Sequence, residues 1–356
     1  GVDGVVLHPR IGIPNNLQYL SEKYFDLIIF IVQTAAKLNM RIVLYDEAMY
    51  PSGSAHGEVV KANPSFASIG ITKTSNPGSR KIIAALKDNT YIVQDFSRGT
   101  IRGIHFGEDD KENPPLSADI LNPAAVEKFI ELTHEKYYQH LKDYFGNTII
   151  GFFTDEPCTL GRNATGFFEW TEGLEKEIIS AGGKLEELQA LFEHKENETT
   201  RIYYSIIKKR LNETFYKKLS DWCEKHGIAL MGHPEKSNDI DEEKYFHIPG
   251  QDLVFRLVSP EKGGITGVDS VQAKCSSDAA RHSGKHRNSN ECFGVCARKD
   301  NPWHFTGGDM KWLIDWLGVR GVNLFIPHAF YYSTKGKRKD ERPPDVGPNN
   351  IWWKHY

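Results

Sequence analysis

A chain of 356 residues that is 39% hydrophobic, 26% charged and 12% aromatic carries enough apolar material for a large core and too little net charge for disorder. Its 44 Lys and Arg against 47 Asp and Glu leave a formal charge of -3, which excludes a general electrostatic attraction to nucleic acid or acidic membrane. The longest wholly aliphatic and aromatic run, Leu27 to Val32, is far shorter than the roughly 20 residues of a membrane span, so no helix is expected to cross a bilayer.

Five cysteines, Cys158, Cys223, Cys275, Cys292 and Cys296, form an odd, sparse set without zinc-ribbon spacing and read as reduced thiols. The chain opens on Gly1 without the charged start and apolar stretch of a leader, which leaves its compartment open.

In chain order, Val5 to Leu7 predict a short strand. Phe25, Ile28, Ile29, Val32 and Ala36 then fall at helical spacing over 21–38, with Ser21 as N-cap. A strand over 41–45 runs into Asp46 and Glu47 and the breaker-rich loop PSGSAHG. Over 68–107 the rhythm changes to four short β-prone runs, ASIGITKT, RKIIAALK, NTYIVQDF and GTIRGIHF, expected to form an inserted antiparallel module within 67–118.

Asn122-Pro123 begins a helix that Gly146 stops, and a strand over 148–153 ends in TDEP. About three helices are expected over 169–226. Strands follow over 228–232, 253–257, 287–290 and 322–327, with helices over 268–282 and 309–319 between them.

Strands alternating with helices imply a parallel sheet walled by helices. Seven parallel strands, with the chain opening inside one, predict a (β/α)8 TIM barrel whose first strand lies upstream. The barrel would comprise 1–66 and 119–356.

In such barrels chemistry gathers at the carboxyl ends of strands. Those ends supply His8 and Arg10, Asp46 and Glu47, Asp155 and Glu156, His233 and Glu235, Asn290 and Glu291, and His328 with Tyr332. Glu156 follows the apolar run IIGFF and Thr154, which sets an ionisable group at the edge of a dry core, where a carboxyl tends to retain its proton. Glu291 ends the polar strand RNSNE and suits a wetter pocket where it stays ionised.

One carboxylic acid and one carboxylate are what glycosidic cleavage requires, so Glu156 is expected to be the general acid and Glu291 the nucleophile or general base. The other strand-end residues, with Trp303 offering a ring for stacking, would bind sugar. The partner is then a carbohydrate, and the residues themselves call for no cofactor. A blander alternative is that a strand-end acid merely accepts hydrogen bonds from loop amides. A catalytically silent carbohydrate-binding barrel and an unrelated barrel hydrolase or lyase also remain open.

GVDGVVLHPRIGIP and YLSEKYFDLIIFIVQTAAKLNMRIVLYDEAMYPSGSAHGEVV resemble the opening barrel segment of bacterial α-L-rhamnosidase-like glycoside hydrolases, and GFFTDEP and NSNECFG resemble the acid-bearing ends of strands four and seven in clan A glycosidases. Asp155 stands where that clan usually has Asn. The resemblance implies a TIM barrel and a glycosidase, and it adds calcium as a cofactor without assigning its ligands.

Overall fold

Ser21 accepts a hydrogen bond from the Tyr24 amide and opens the first helix, Glu22–Lys37, as its position before Glu22 predicts. The helix buries Phe25, Ile28 and Val32 against the strands that flank it in sequence. The computed structural model describes residues 2–294 and 305–330.

The strands in chain order are β1 (Gly4–Leu7), β2 (Arg41–Tyr45), β3 (Ile69–Thr74), β4 (Lys81–Ala85), β5 (Tyr91–Phe96), β6 (Ile149–Asp155), β7 (Phe168–Trp170), β8 (Ala229–His233), β9 (Gly250–Asp252), β10 (Ser289–Cys292) and β11 (Leu324–Pro327). One parallel sheet runs β1-β2-β6-β8 and a second runs β11-β10-β9, while β4-β5-β3-β7 form an antiparallel sheet. Seven parallel strands are present, six of them overlapping the places anticipated from the alternation. Among the described residues they form two sheets rather than one closed ladder, since no ladder joins β8 to β9 or β11 to β1.

At the first of those gaps the backbones still touch. A Cβ on Gly250 would lie 2.3 Å from the Gly232 carbonyl oxygen, and one on Gly232, at φ +112°, would lie 1.9 Å from the Thr154 carbonyl oxygen. Only glycine fits either place.

Several predicted boundaries are corrected. The strand expected over 253–257 is β9, further upstream, and Phe255–Val258 is a helical turn whose apolar residues pack against Leu313, Trp316 and Leu317. β9 reads Gly-Gln-Asp, so hydrophobic periodicity could not reveal it. The strand expected over 287–290 is Ser289–Cys292, which puts Glu291 inside the ladder opposite Asp252. The helix expected over 268–282 divides into a 3-10 turn, Val268–Val271, and an α-helix, Lys274–His282.

The antiparallel sheet also differs from expectation. GTIRGIHF forms no strand beyond isolated bridges at Thr100, and the fourth strand is β7, from after β6, paired with β3. The residues Ile71, Ile92, Trp170 and Tyr203 close a core of its own beneath it.

Alternation along the parallel strands sorts their side chains into two layers. Ile42, Leu44, Phe152 and Leu230 face the helices, whereas Val43, Tyr45, Phe153 and Met231 pack together on the inner side. The same period of two carries Asp155 and His233 onto that inner side. No helix among the described residues is long and apolar enough to cross a membrane.

Candidate active site

The β6–β8 register pairs Asp155 with His233, and the β9–β10 register pairs Asp252 with Glu291. Four ionisable side chains from four strands therefore meet on the inner side, and Glu156 joins them one residue beyond β6.

His233, buried to 2% exposure, is the hub. Its Nε2 donates to Glu291 Oε2 at 3.3 Å and lies 3.5 Å from Asp155 Oδ1, while its Nδ1 faces Glu156 Oε1 at 4.0 Å. Burial opposes a charge on the imidazole, but the Glu291 hydrogen bond and the negative charges of Asp155, Glu291 and Glu156 outweigh it and raise its pKa well above the ordinary value. His233 is an imidazolium at neutral pH.

That cation divides the carboxyls. Burial pushes Glu291 upward, yet the His233 hydrogen bond and the positive charges of His328, His233 and Arg10 pull it down to about 2, so it is a carboxylate. Asp155 goes the other way, to about 7: burial raises it, His233 lowers it, and the neighbouring charges of Glu291 and Glu156 raise it again. Asp252 is likewise raised well above the usual carboxylate range by burial and by Glu291.

The surrounding side chains hold this set in place. Tyr45 donates its hydroxyl hydrogen bond to Asp155 Oδ2 and stacks on His8 at 3.5 Å, and His8 Nε2 donates to the Met49 carbonyl. Tyr50 donates to Glu156 Oε2 at 2.7 Å. Arg10 Nη1 lies 3.2 Å from His328 Nε2, and the same histidine nitrogen is 3.7 Å from Glu291 Oε1. Glu156 has a left-handed backbone, φ +40°, that turns its side chain away from the strand path.

Of the strand-end residues anticipated from sequence, His8, Arg10, Asp155, Glu156, His233, Glu291 and His328 are brought together. Asp46 and Glu47 are fully buried beneath the following loop. The Ser52 hydroxyl donates to Asp46, and the Glu47 carboxylate accepts backbone N–H bonds from Ala48, Ser54 and His56, which is the blander role for a strand-end acid. Asn290 occupies the face of β10 opposite Glu291, with Cys292, which lies in the core built around Leu313, Trp316 and Leu317. Glu235 is exposed beyond the end of β8. Trp303 and Tyr332 lie outside the described residues. Phe305 is buried against Phe255, with ring centroids 5.1 Å apart.

Asp252, Tyr45 and Tyr50 were missed. An acid closing the polar triplet Gly-Gln-Asp was the available signal for Asp252, the kind that marks Glu291. The tyrosines offered none, because an aromatic at a strand end reads first as packing.

The calcium implied by the rhamnosidase resemblance does not fit this donor set. Ca2+ takes about 6–8 oxygens, whereas Asp155, His233 and Glu291 offer two carboxylates and an imidazole nitrogen. A cleft of about 350 Å³ lined by Gly146, Ile150, Glu224, Gly227, Ile228, Ala229 and His247 lies beside the amino ends of β6 and β8, away from the cluster.

No family model and no curated protein matches the chain. Among solved structures, it is similar to a β-galactosidase from the Antarctic haloarchaeon Halorubrum lacusprofundi, with a TM-score of 0.51 and 10% identity over 88% of this chain and 46% of that one. It also matches a rhamnosidase from Novosphingobium sp. PP1Y with a TM-score of 0.47 and 16% identity, over 67% of this chain and 22% of that one. The chain thus spans less than half the length of either neighbour, and its fold is that of a glycoside hydrolase-like α/β protein.

Proposed function

We propose that this chain is a glycosidase in which Glu291 is the nucleophile or general base and Glu156 the general acid, set at the strand ends of a (β/α)8 barrel carrying an inserted antiparallel module. The observation that carries this reading is the convergence of Glu156 and Glu291 on opposite nitrogens of the buried His233 imidazole, with Glu291 held ionised near 2. The neighbouring β-galactosidase fold supports the reaction class. Arg10 after β1 meets His328 after β11, which supports closure of the strand ends around a common centre.

Glu156 and Glu291 face opposite nitrogens of one imidazole, so their nearest oxygens are held within roughly 10 Å. That bound admits both the spacing of about 5–5.5 Å used for a covalent intermediate and the spacing of about 6.5–9.5 Å that leaves room for a water. Glu291 would attack the anomeric carbon or deprotonate that water, while Glu156 protonates the departing oxygen. His233 holds the charge on Glu291 and orients it, and Arg10 and His328 keep the carboxylate ionised from the other side.

A second reading takes Asp155 as the proton donor, favoured by its pKa of about 7. Hydrolysis of an aryl-glycoside panel that includes α-L-rhamnosides and β-galactosides, with NMR of the first-formed anomer, tests the reaction class and its stereochemistry. Sugar binding without any product across the panel would instead mark a binding barrel.

A further inference from the structure

Outside the carboxylate cluster, a second group of ligating side chains converges from two segments far apart in sequence. His56 belongs to the loop after β2, and His105 and Asp109 to the stretch that leaves the antiparallel sheet. Asp109 Oδ2 lies 2.9 Å from His56 Nε2 and 2.7 Å from His105 Nδ1. All three side chains are 12–14% exposed, shielded but not sealed.

We propose that His56, His105 and Asp109 form a three-ligand site for a zinc-class divalent ion that staples the β2 loop to the 99–109 segment. Three features favour a metal over a fortuitous contact. First, the donor atoms differ in kind and share one focus: two imidazole nitrogens and one carboxylate oxygen lie within 4.8 Å of one another, a set suited to Zn2+ with a water completing the tetrahedron. Second, the carboxylate is arranged for monodentate use. Its Oδ1 accepts the His105 backbone N–H at 2.6 Å, which leaves Oδ2 turned to both rings.

Third, the backbone under His56 is strained in the way that functional sites tolerate. Ala55 and His56 both have left-handed φ, +48° and +55°, and the Glu47 carboxylate holds that conformation by accepting the His56 and Ser54 amides. The stapled segments matter to the other site, because Arg102 N–H donates to the Tyr50 carbonyl at 2.8 Å and Tyr50 holds Glu156. An ion here would secure the platform that carries Tyr50 without touching substrate.

Calorimetric titration of the tag-free full chain with Zn2+, and absorption spectroscopy with Co2+ as the coloured probe, test the site, with circular dichroism confirming that each variant is folded. A single equivalent should bind, raise Tm and give tetrahedral Co2+ bands. His105→Ala and Asp109→Asn should each weaken binding at least 100-fold, while Glu291→Gln, in the other cluster, leaves affinity unchanged. If His105→Ala does not fold, His105→Gln serves the same comparison. No binding at millimolar Zn2+, or binding lost in Glu291→Gln and kept in the His105 and Asp109 variants, would overturn the proposal, leaving a pair of His–Asp hydrogen bonds.

Discussion

His233 and Glu291, 58 residues apart in the chain and on different sheets, share a hydrogen bond of 3.3 Å that sets the charge of both: the imidazole is held protonated and the carboxylate ionised. Each charge supports the other in burial, with Asp155 and Glu156 adding to the imidazolium and His328 and Arg10 to the carboxylate, because an isolated buried charge neutralises by shifting its pKa.

Replacing either proposed catalytic acid should remove chemistry. Glu156→Gln and Glu291→Gln are each expected to lower kcat by about 10³-fold or more, and the double variant by little beyond the worse single one, since the two act as a unit. Steady-state kinetics on the best aryl glycoside checks this; near-normal turnover by both single variants defeats the assignment.

The pH dependence of activity separates the two candidate proton donors. Asp155 titrates near 7, so kcat/KM should fall as pH rises through that value. With Glu156 as donor, Asp155→Asn stays active and loses that limb of the profile. With Asp155 as donor, the same variant is inactive at every pH.

Stability should respond to the same two carboxyls with opposite signs. Glu291 is depressed from an unfolded value of about 4.3, so its stabilising contribution is present above that pH and is lost as pH falls from there towards 2. Asp155 is raised from about 3.9, so the native state binds the extra proton and stability declines as pH rises from about 4 to about 7. Urea unfolding across pH 2–8 should show Glu291→Gln flattening the acid limb and Asp155→Asn flattening the decline towards neutrality.

Glu47 is expected to act on stability first. Its carboxylate accepts three loop amides in full burial, and Glu47→Gln turns an amide N–H towards at least one of those donors, at a cost of about 1–3 kcal/mol. Denaturant melts should show the loss, with KM rising as the loop that carries Tyr50 loosens. Unchanged stability would mean the loop is held by other bonds.

Gly232→Ala should prevent folding. A Cβ there would meet the Thr154 carbonyl oxygen at 1.9 Å on a backbone with φ +112°, so strands β6 and β8 could not pair beside Asp155 and His233. Soluble, cooperatively melting protein from this variant would contradict the strand packing described.

Strand ends with apolar run-ups were legible. RIVLY and IIGFF predicted β2 and β6, and with them the places of Asp46, Glu47, Asp155 and Glu156, because buried parallel strands are continuous hydrophobic runs. β9 was not legible, since Gly-Gln-Asp is polar and is a strand only by virtue of its neighbour β10. β7 escaped for a related reason: it is three residues long, sits where helices were expected, and exists through pairing with β3.

The sequence by itself determined the apolar strands and the principal helices, the parallel alternation and the supply of acids at strand ends, since hydrophobic period and turn chemistry are local. Which acid faces a cation, which faces loop amides and which turns to the opposite layer was decided only in the tertiary structure. Glu47 and Glu291 read alike as strand-end glutamates, yet one accepts backbone N–H bonds and the other the His233 imidazolium. A carboxyl takes its pKa from charges and dipoles within a few ångströms, and those come from segments that no local pattern places together.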